Sequence, residues 1–274
     1  MQPVVHPQTE RLLDRFKTQL PQSLLLTGEP GVGLLAIAQH IAGRAALAIL
    51  RPQNIKEQTD NEHGTIGVDA IRNLYGQTRA KHSSRQVVII DNADRMNEPG
   101  QSAFLKLLEE PNQYINFILL SHQPDALKST ILSRVQRHHI RTITDQQTTE
   151  LIVSLGVTDS TKTAQLRFIA SGRPAEIVRL VQDDNYFAAS AASVGDARVL
   201  IQASTYDRLL LAQKYHNNRD GAKLLLESAM TMARRTLSTK PQPALVAQLD
   251  RLLAAQRQLS ANGNVRLVLA ATVV

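Results

Sequence analysis

The sequence of 274 residues contains no cysteine, and its eight histidines are scattered along the chain. Without cysteine the chain has no disulfides, no thiolate nucleophile and none of the common structural zinc sites. The adjacent pair His138 and His139 lacks the spacing that places two imidazoles on one metal ion. We therefore expect no metal site and no resident cofactor.

Long apolar runs are also missing from the sequence. None approaches the roughly 18 apolar residues that a membrane-spanning helix needs. The N-terminal residues 1–13 show no basic-then-apolar signal pattern. Together these features predict a cytoplasmic protein that has no membrane segment.

Basic residues exceed acidic ones, and the excess lies near the C-terminus. The net charge is +7, of which residues 1–140 carry +2, residues 141–185 carry −1 and residues 186–274 carry +6. Such asymmetry is typical either of a nucleic-acid interface or of a solvated helix surface. With only five Tyr and five Phe available to stack on bases, we interpret it as helix surface and keep DNA binding as the alternative.

The first 140 residues alternate strand-like and helix-like segments, which is typical of a parallel sheet covered by helices. Apolar runs predict strands over residues 23–27, 86–90 and 116–120. Helical patterns cover residues 32–50 and 99–110, and Pro111 ends the second one. Residues 1–140 are therefore predicted to form a doubly wound α/β domain.

The strand pattern ends near residue 140. Thr144 and Gln147 match a capping box that begins a helix ending near Gly156. Ser160 and Pro174 begin two more predicted helices. We expect a small helical domain over residues 141–185.

Residues 186–274 repeat apolar residues at helical spacing. Breaks at Gly195, at 217–218 and at the Pro-Gln-Pro sequence of 241–243 predict about four helices. This region is therefore predicted to be an all-helical C-terminal domain.

A glycine-rich segment, residues 28–35, follows the first predicted strand. Gly28 and Gly33, with Gly31 between them, match the spacing of a phosphate-binding loop, G-x-x-x-x-G-K-[ST]. Leu34 and Leu35 stand where the lysine and the hydroxyl belong. A nucleotide there would lose charge-assisted bonds worth about 1.5 to 3 kcal/mol each. We expect no tight ATP binding, and a glycine turn that only connects a strand to a helix is the alternative.

The second predicted strand ends at Asp91 and Asn92. In ATPases of this architecture the aspartate orients magnesium, and a following glutamate activates the attacking water. Asn92 lacks the carboxylate of such a base. The sequence therefore predicts an impaired hydrolytic site in which Asp91 serves as a strand-end cap.

Three stretches resemble one known family. Residues 92–111 read NADRMNEPGQSAFLKLLEEP, residues 125–134 read DALKSTILSR, and residues 261–267 read ANGNVRL. They resemble the clamp-loader subunits of the AAA+ family, and specifically the delta-prime type. The resemblance implies an AAA+ core (1–140), a small helical lid (141–185) and a helical collar for oligomerisation (186–274).

The resemblance also implies a role for Arg134 beside Ser133. In this family the arginine of the serine-arginine-cysteine signature acts in trans, as an arginine finger that contacts ATP on a neighbouring subunit. Here Val135 replaces the cysteine. The alternative is an arginine that pairs locally with a carboxylate such as Asp125.

Two further positions differ from the family pattern. Many relatives carry a four-cysteine zinc module near residues 51–64, where this chain has no cysteine. Arg173 only loosely resembles the family's second sensor arginine. It either faces the nucleotide pocket or belongs to a structural helix start.

The sequence thus predicts a clamp-loader subunit of the bacterial replicative DNA polymerase that is not an enzyme by itself. Its implied partners are ATP-binding motor subunits, a delta-type subunit, the sliding clamp, and primer-template DNA through the assembly. Two alternatives are a DNA-binding module on the same fold and a divergent weak ATPase that uses another lysine, such as Lys106.

Overall fold

The computed structural model of the chain describes residues 3–61, 63–80, 82–240 and 242–272. Packing divides the chain into two compact units. The first comprises Met1–Leu151 and Gly172–Glu176, and the second comprises Ile152–Ser171 and Ile177–Val274. The predicted division at residues 140 and 185 stays a prediction, and its outer limits, Met1 and Val274, lie outside the described residues.

A five-stranded parallel sheet forms the centre of the first unit. Its strands are β1 (Ser23–Thr27), β2 (Ala46–Leu50), β3 (Gln86–Ile90), β4 (Ile115–Ser121) and β5 (Gln136–His139). Their order is β2-β3-β4-β1-β5, and every pair is parallel. The three predicted strands are confirmed, and β4 is one residue longer at each end. Because branched and leucine side chains fill the central strands β3, β4 and β1, both faces of the sheet can be buried there.

Five of the described helices lie wholly within the same unit. They are α1 (Pro7–Thr18), α2 (Leu34–Ala42), α3 (Val68–Arg79), α4 (Glu98–Glu109) and α5 (Ser129–Leu132). Alternate residues of β3 point to opposite faces. Val88 and Ile90 pack in the layer that contains α3, α4 and α5, whereas Val87 and Ile89 pack in the layer that contains α1 and α2. This arrangement confirms the doubly wound α/β core.

The helix predicted over residues 32–50 is wrong in its second half. Helix α2 ends at Ala42, Gly43 turns the chain with φ 51°, and residues 46–50 form the edge strand β2 beside β3. The alanine-rich segment favours a helix locally. Pairing with β3 overrides that preference, because propensity is a weak term compared with tertiary packing.

Three short helices follow the sheet: α6 (Asp145–Ser154), α7 (Ser160–Ala170) and α8 (Pro174–Gln182). The capping box is confirmed, since Thr144 Oγ1 accepts from Gln147 N at 3.2 Å and Gln147 Oε1 accepts from Thr144 N at 3.1 Å. Helix α7 begins at the predicted Ser160, and the Asp159 side chain caps it.

The C-terminal helices are α9 (Asp184–Gln202), α10 (Thr205–Lys214), α11 (Arg219–Thr239), α12 (Pro243–Ser260) and α13 (Val265–Ala271). Helix α11 packs against both α9 and α12. The break predicted at 217–218 is confirmed, and α12 begins at Pro243, although Pro241 lies outside the described residues. In the part of the chain that the structure describes, no helix is both long and apolar enough to span a bilayer.

The break predicted at Gly195 is wrong, because α9 continues through it. A glycine inside a helix costs about 1 kcal/mol relative to alanine. The buried face of α9, which includes Ser193, Ala197 and Leu200, offsets that cost by packing. The described helices from residue 184 onwards therefore number five, rather than about four.

Candidate nucleotide-loop and arginine site

The glycine-rich segment connects β1 to α2, which is the place of a phosphate-binding loop in this kind of sheet. Gly31 and Gly33 have φ of 89° and 87°, in the left-handed region that glycine adopts without steric cost. Gly33 is the N-cap residue of α2, and as a glycine it has no side chain to cap the amides of that helix end. The predicted strand, turn and helix around Gly28, Gly31 and Gly33 are therefore present.

The two leucines that replace the lysine and the hydroxyl contribute to the apolar core. Leu34 is 3% exposed and packs with Val32 and Ile37, and Leu35 packs partly buried against the same cluster. Neither side chain supplies a charge or an oxygen ligand. The first turn of α2 is thus held by apolar packing.

A second segment of the chain contacts this loop. The Gly31 carbonyl accepts hydrogen bonds from Ala175 N at 2.9 Å and Glu176 N at 3.2 Å, both in the first turn of α8. The Arg173 guanidinium donates to the Pro30 carbonyl at 3.2 Å. Arg173 therefore directly precedes the first residue of α8, as expected of a structural helix start. Its side chain also reaches the glycine-rich loop, as expected of a residue near the nucleotide pocket.

Asp91 lies at the carboxyl edge of the sheet, beside the guanidinium of Arg51. Its side chain is buried, and the Arg51 Nε lies 3.7 Å from its Oδ2. Burial raises the pKa of Asp91, while Arg51, His122 and a hydrogen bond from the Asn92 amide act in the opposite direction. Asn92 has a left-handed backbone, φ 49°, and begins the short 3₁₀ turn after β3.

His122 connects β4 to the glycine-rich loop. Its ring Nδ1 lies 2.8 Å from the Gly28 carbonyl, so the Nδ1–H donates there. Its backbone amide donates to Asp94 Oδ1 at 3.2 Å. Although these acidic and histidine residues are close together, no three such side chains among the described residues are grouped to hold a metal ion.

Arg134 is placed by α5 and by the end of α4. Its guanidinium donates to the Thr130 carbonyl at 3.0 Å and lies 3.1 Å from Glu109 Oε1. It also approaches the Ser133 hydroxyl at 3.4 Å. The local partner of Arg134 is therefore Glu109. The alternative of a local pair with a carboxylate is thus present, although the carboxylate is not Asp125, the example suggested from the sequence. Glu109 ends α4 and Arg134 follows α5, and the two residues meet because α4 and α5 pack together.

The structure brings the predicted residues together in two groups. Gly28, Gly31, Asp91 and Asn92 follow the carboxyl ends of β1 and β3, and His122 after β4 bonds to the Gly28 carbonyl and acts to lower the pKa of Asp91. Arg134 and Ser133 belong to the layer of α4 and α5, whereas α2 packs on the opposite face of the sheet. Arg134 thus belongs to a different layer from α2, the helix that follows the glycine-rich loop.

Sequence reasoning missed Arg51, His122 and Glu109. A signal for His122 was available, because it follows a predicted strand and the carboxyl ends of parallel strands meet at one edge of a sheet. Arg51 directly follows the wrong helix prediction at 32–50, so no local pattern indicated that it comes after a strand of the sheet. Glu109 carries no local signal, since its relation to Arg134 depends on how α4 packs on α5.

Comparison with known proteins identifies relatives for the middle of the chain. Residues 48–144 match the family described as "DNA polymerase III, delta subunit". The DNA polymerase III subunit delta' of Pseudomonas aeruginosa is 32% identical over 154 residues, which are 47% of this chain and 47% of that protein. The Escherichia coli subunit delta' is 30% identical over 125 residues, 44% of this chain and 37% of that protein. The chain thus spans less than half the length of these two relatives.

A solved structure supports the fold over nearly the whole chain. It is a DNA polymerase III, gamma subunit-related protein from Thermotoga maritima, with a TM-score of 0.50, 20% identity and coverage of 97% of both chains. At this identity the likeness shows the fold alone. Together with the parallel sheet and the C-terminal helices, it confirms the predicted AAA+ α/β fold.

The family match covers the segments that hold Asp91, Glu109 and Arg134. It therefore includes two of the three stretches on which the resemblance was based. Residues 48–144 match the model of the DNA polymerase III delta-subunit family, and the resemblance of this chain to the delta-prime subunits is confirmed.

Proposed function

We propose that the chain is a non-hydrolysing clamp-loader subunit of a bacterial replicative DNA polymerase. In this proposal it assembles with ATP-binding motor subunits and a delta-type subunit, helps to open the sliding clamp, and supplies Arg134 to ATP on a neighbour. One contrast carries the proposal. Arg134 lies within the matched family segment, whereas buried Leu34 occupies the position of the ATP-binding lysine.

One contact and one residue identity also support the absence of hydrolysis. Asp91 has the Arg51 guanidinium near its carboxylate, where a working site would direct the carboxylate to magnesium. Asn92 has an amide in place of a basic carboxylate. A neutral amide does not take a proton from water, so the site lacks a general base at this position.

The weak-ATPase alternative needs a lysine at the loop. Lys106 is exposed on α4, whose buried face packs in the layer of α3 and α5. The loop precedes α2, which packs on the opposite face of the sheet. Lys106 is therefore a poor replacement for the missing lysine.

The DNA-binding alternative needs available basic side chains in the C-terminal helices. Several of them have partners within the second unit. Arg219 donates to the Leu259 and Gly263 carbonyls, Arg235 stacks on Phe168 with 4.5 Å to the ring centroid, and Lys214 pairs with Asp196. Part of the C-terminal charge thus serves packing, which favours the assembly role.

Relatives and exposed apolar residues support a hetero-oligomer. The similar proteins include DNA polymerase III subunits named tau and tau/gamma. On the second unit, α10 contacts α13, and these two helices expose Tyr206, Leu209, Leu210 and Leu267. Exposed apolar residues that are grouped on adjacent helices, unlike scattered single ones, are typical of protein interfaces. We assign these four residues, the α10–α13 residues, to contact with a neighbouring subunit.

The experiment combines the motor subunits of the same organism with this chain, clamp and primed DNA. It measures complex formation and ATP turnover with wild type, Arg134→Ala and the control Arg137→Ala, which alters another exposed arginine nearby. A trans-acting arginine accelerates phosphoryl transfer by about 10³-fold or more. We expect Arg134→Ala to assemble normally and to lose turnover at the site it completes, while Arg137→Ala resembles wild type.

Other outcomes would select a different function. ATP turnover by the isolated chain would support the weak ATPase. Failure to assemble, together with strongly salt-dependent binding of DNA by the chain alone, would support the DNA-binding module. Full turnover with Arg134→Ala would remove the trans role.

A further inference from the structure

The ion pair between Glu109 and Arg134 has a feature that local helix preferences do not explain. Glu109 is the last residue of α4, and Glu110 is its C-cap. Carbonyl groups make the C-terminal end of a helix negative, so acidic side chains there are unfavourable by roughly 0.3 to 1 kcal/mol each. The guanidinium of Arg134 compensates Glu109, at 3.1 Å from its Oε1.

The carboxylate of Glu109 projects from a firmly packed helix. Phe104, Leu107 and Leu108 of α4 are buried in the apolar layer beneath the sheet. Gln101 also ties α4 to the start of α5, because its Oε1 accepts from Lys128 N at 2.8 Å. The position of the Glu109 backbone is thus set by the core.

Arg134, in contrast, follows a helix of only four residues and has a long side chain. An arginine side chain loses about 2 kcal/mol of rotamer entropy when it is held in one conformation. Two firm contacts already restrict this one, Glu109 on one terminal nitrogen and the Thr130 carbonyl on the other. The side chains of Arg134 and Glu109 remain 40% and 45% exposed, so the pair is accessible at the protein surface.

We infer that Glu109 is a positioning residue for Arg134. It holds the guanidinium in one orientation before a neighbour docks, so that less conformational entropy is lost when Arg134 meets the phosphate. Arginine has further N–H donors beyond those bound to Glu109 and Thr130, and these are directed to the phosphate oxygens. This inference rests on the proposed function, in which Arg134 acts in trans.

The test uses the complete loader with wild type, Glu109→Gln, Glu109→Ala and Arg134→Ala. The matched control is Glu110→Ala, which removes the adjacent exposed acid, 3.9 Å from Arg79. We expect the highest ATP turnover per complex with wild type, a lower value with Glu109→Gln and the lowest with Glu109→Ala. The value with Glu109→Ala should be roughly three- to tenfold below that with Glu109→Gln. The KM for ATP, complex formation and Tm stay unchanged, because the pair is half exposed.

A double variant separates positioning from a general structural effect. In the Arg134→Ala background, Glu109→Ala should cause no further loss of turnover, since the residue acts only through Arg134. An additional loss, or a gain of turnover in Glu109→Ala alone, overturns the inference. If Glu109→Ala equals Glu110→Ala while Arg134→Ala is defective, the inference fails and the proposed function stands. If Arg134→Ala is fully active, the proposed function itself fails.

Discussion

The Arg51 guanidinium lies 3.7 Å from the Asp91 carboxylate, Nε to Oδ2, at the carboxyl edge of the sheet. Arg51 directly follows β2 and Asp91 directly follows β3, and these two strands are neighbours. The pKa of Asp91 is nevertheless raised above its ordinary value of 3.8, mainly by burial. The ion pair therefore returns less free energy than desolvation of the carboxylate costs.

We expect Asp91→Asn to raise the Tm of the chain at pH 8. Because the folded pKa is raised, the stability that the protonated carboxyl contributes is fully present below pH 3.8 and is lost as the pH rises through the folded pKa. The difference between variant and wild type should thus shrink as the pH falls. Thermal unfolding between pH 4 and pH 8 checks this, with the exposed Asp69→Asn as control. A variant less stable than wild type at pH 8 would show that the Arg51 pair outweighs burial.

The two left-handed glycines of the loop should respond differently to alanine. Alanine at either position is strained, because both residues have a positive φ. At Gly31 a Cβ would lie 2.9 Å from Glu176 Cβ and 3.4 Å from Arg173 Cβ, whereas at Gly33 the nearest atom is Ala175 Cβ at 3.7 Å. Gly31→Ala should therefore destabilise the chain by about 1 to 3 kcal/mol more than Gly33→Ala. Urea unfolding measures the free energy of unfolding of both variants. Equal destabilisation would mean that the first turn of α8 shifts away from the new Cβ at residue 31 without cost.

Arg219 joins the end of α12 to the turn before α13. Its guanidinium donates to the Leu259 carbonyl at 2.6 Å and the Gly263 carbonyl at 2.9 Å. Arg219→Ala should lower the free energy of unfolding by about 2 to 3 kcal/mol, because two carbonyls lose a charged donor. Arg219→Lys should recover only part of this, since one ammonium does not reproduce the planar fork. Urea unfolding is the measurement, and the exposed Arg266→Ala is expected to be near neutral.

The α10–α13 residues should govern assembly if they contact a neighbour. Leu267 is 69% exposed, so Leu267→Glu should leave Tm within about 1 °C of wild type. The same variant, and Leu210→Glu, should raise the Kd for the motor subunits by tenfold or more, which corresponds to a loss of about 1.4 kcal/mol of binding free energy. Analytical ultracentrifugation tests this, with Val153→Glu on α6 as an equally exposed apolar control. Unchanged assembly would assign the interface to another surface.

The elements predicted well are those with a strong local pattern. Strands β1, β3 and β4 are short apolar runs between polar turns, and α4 has an apolar face that ends at a proline. The Thr144–Gln147 capping box is a local hydrogen-bond pattern and was found to the residue. In each case neighbouring residues supply most of the information.

Other elements depend on distant partners and were missed or wrong. Strand β2 is a helix-like sequence that pairs with β3, and β5 is a polar sequence, Gln136–His139, that forms a strand because it pairs with β1. Helices α1 and α3 were not predicted. Gly195 stays helical because α9 packs on α11. For these segments tertiary contacts outweigh local preference.

By itself, the sequence determined the doubly wound α/β core, the glycine spacing of the loop, and the absence of lysine and hydroxyl at Leu34 and Leu35, since these depend on residue type and spacing alone. The AAA+ class came from the family resemblance of three stretches. Only the tertiary structure decided that Glu109 holds Arg134, that Arg51 accompanies Asp91, and that the start of α8 bonds to Gly31. These partners are far apart in the chain, and packing of the strands and helices is what brings their side chains and backbone groups within bonding distance.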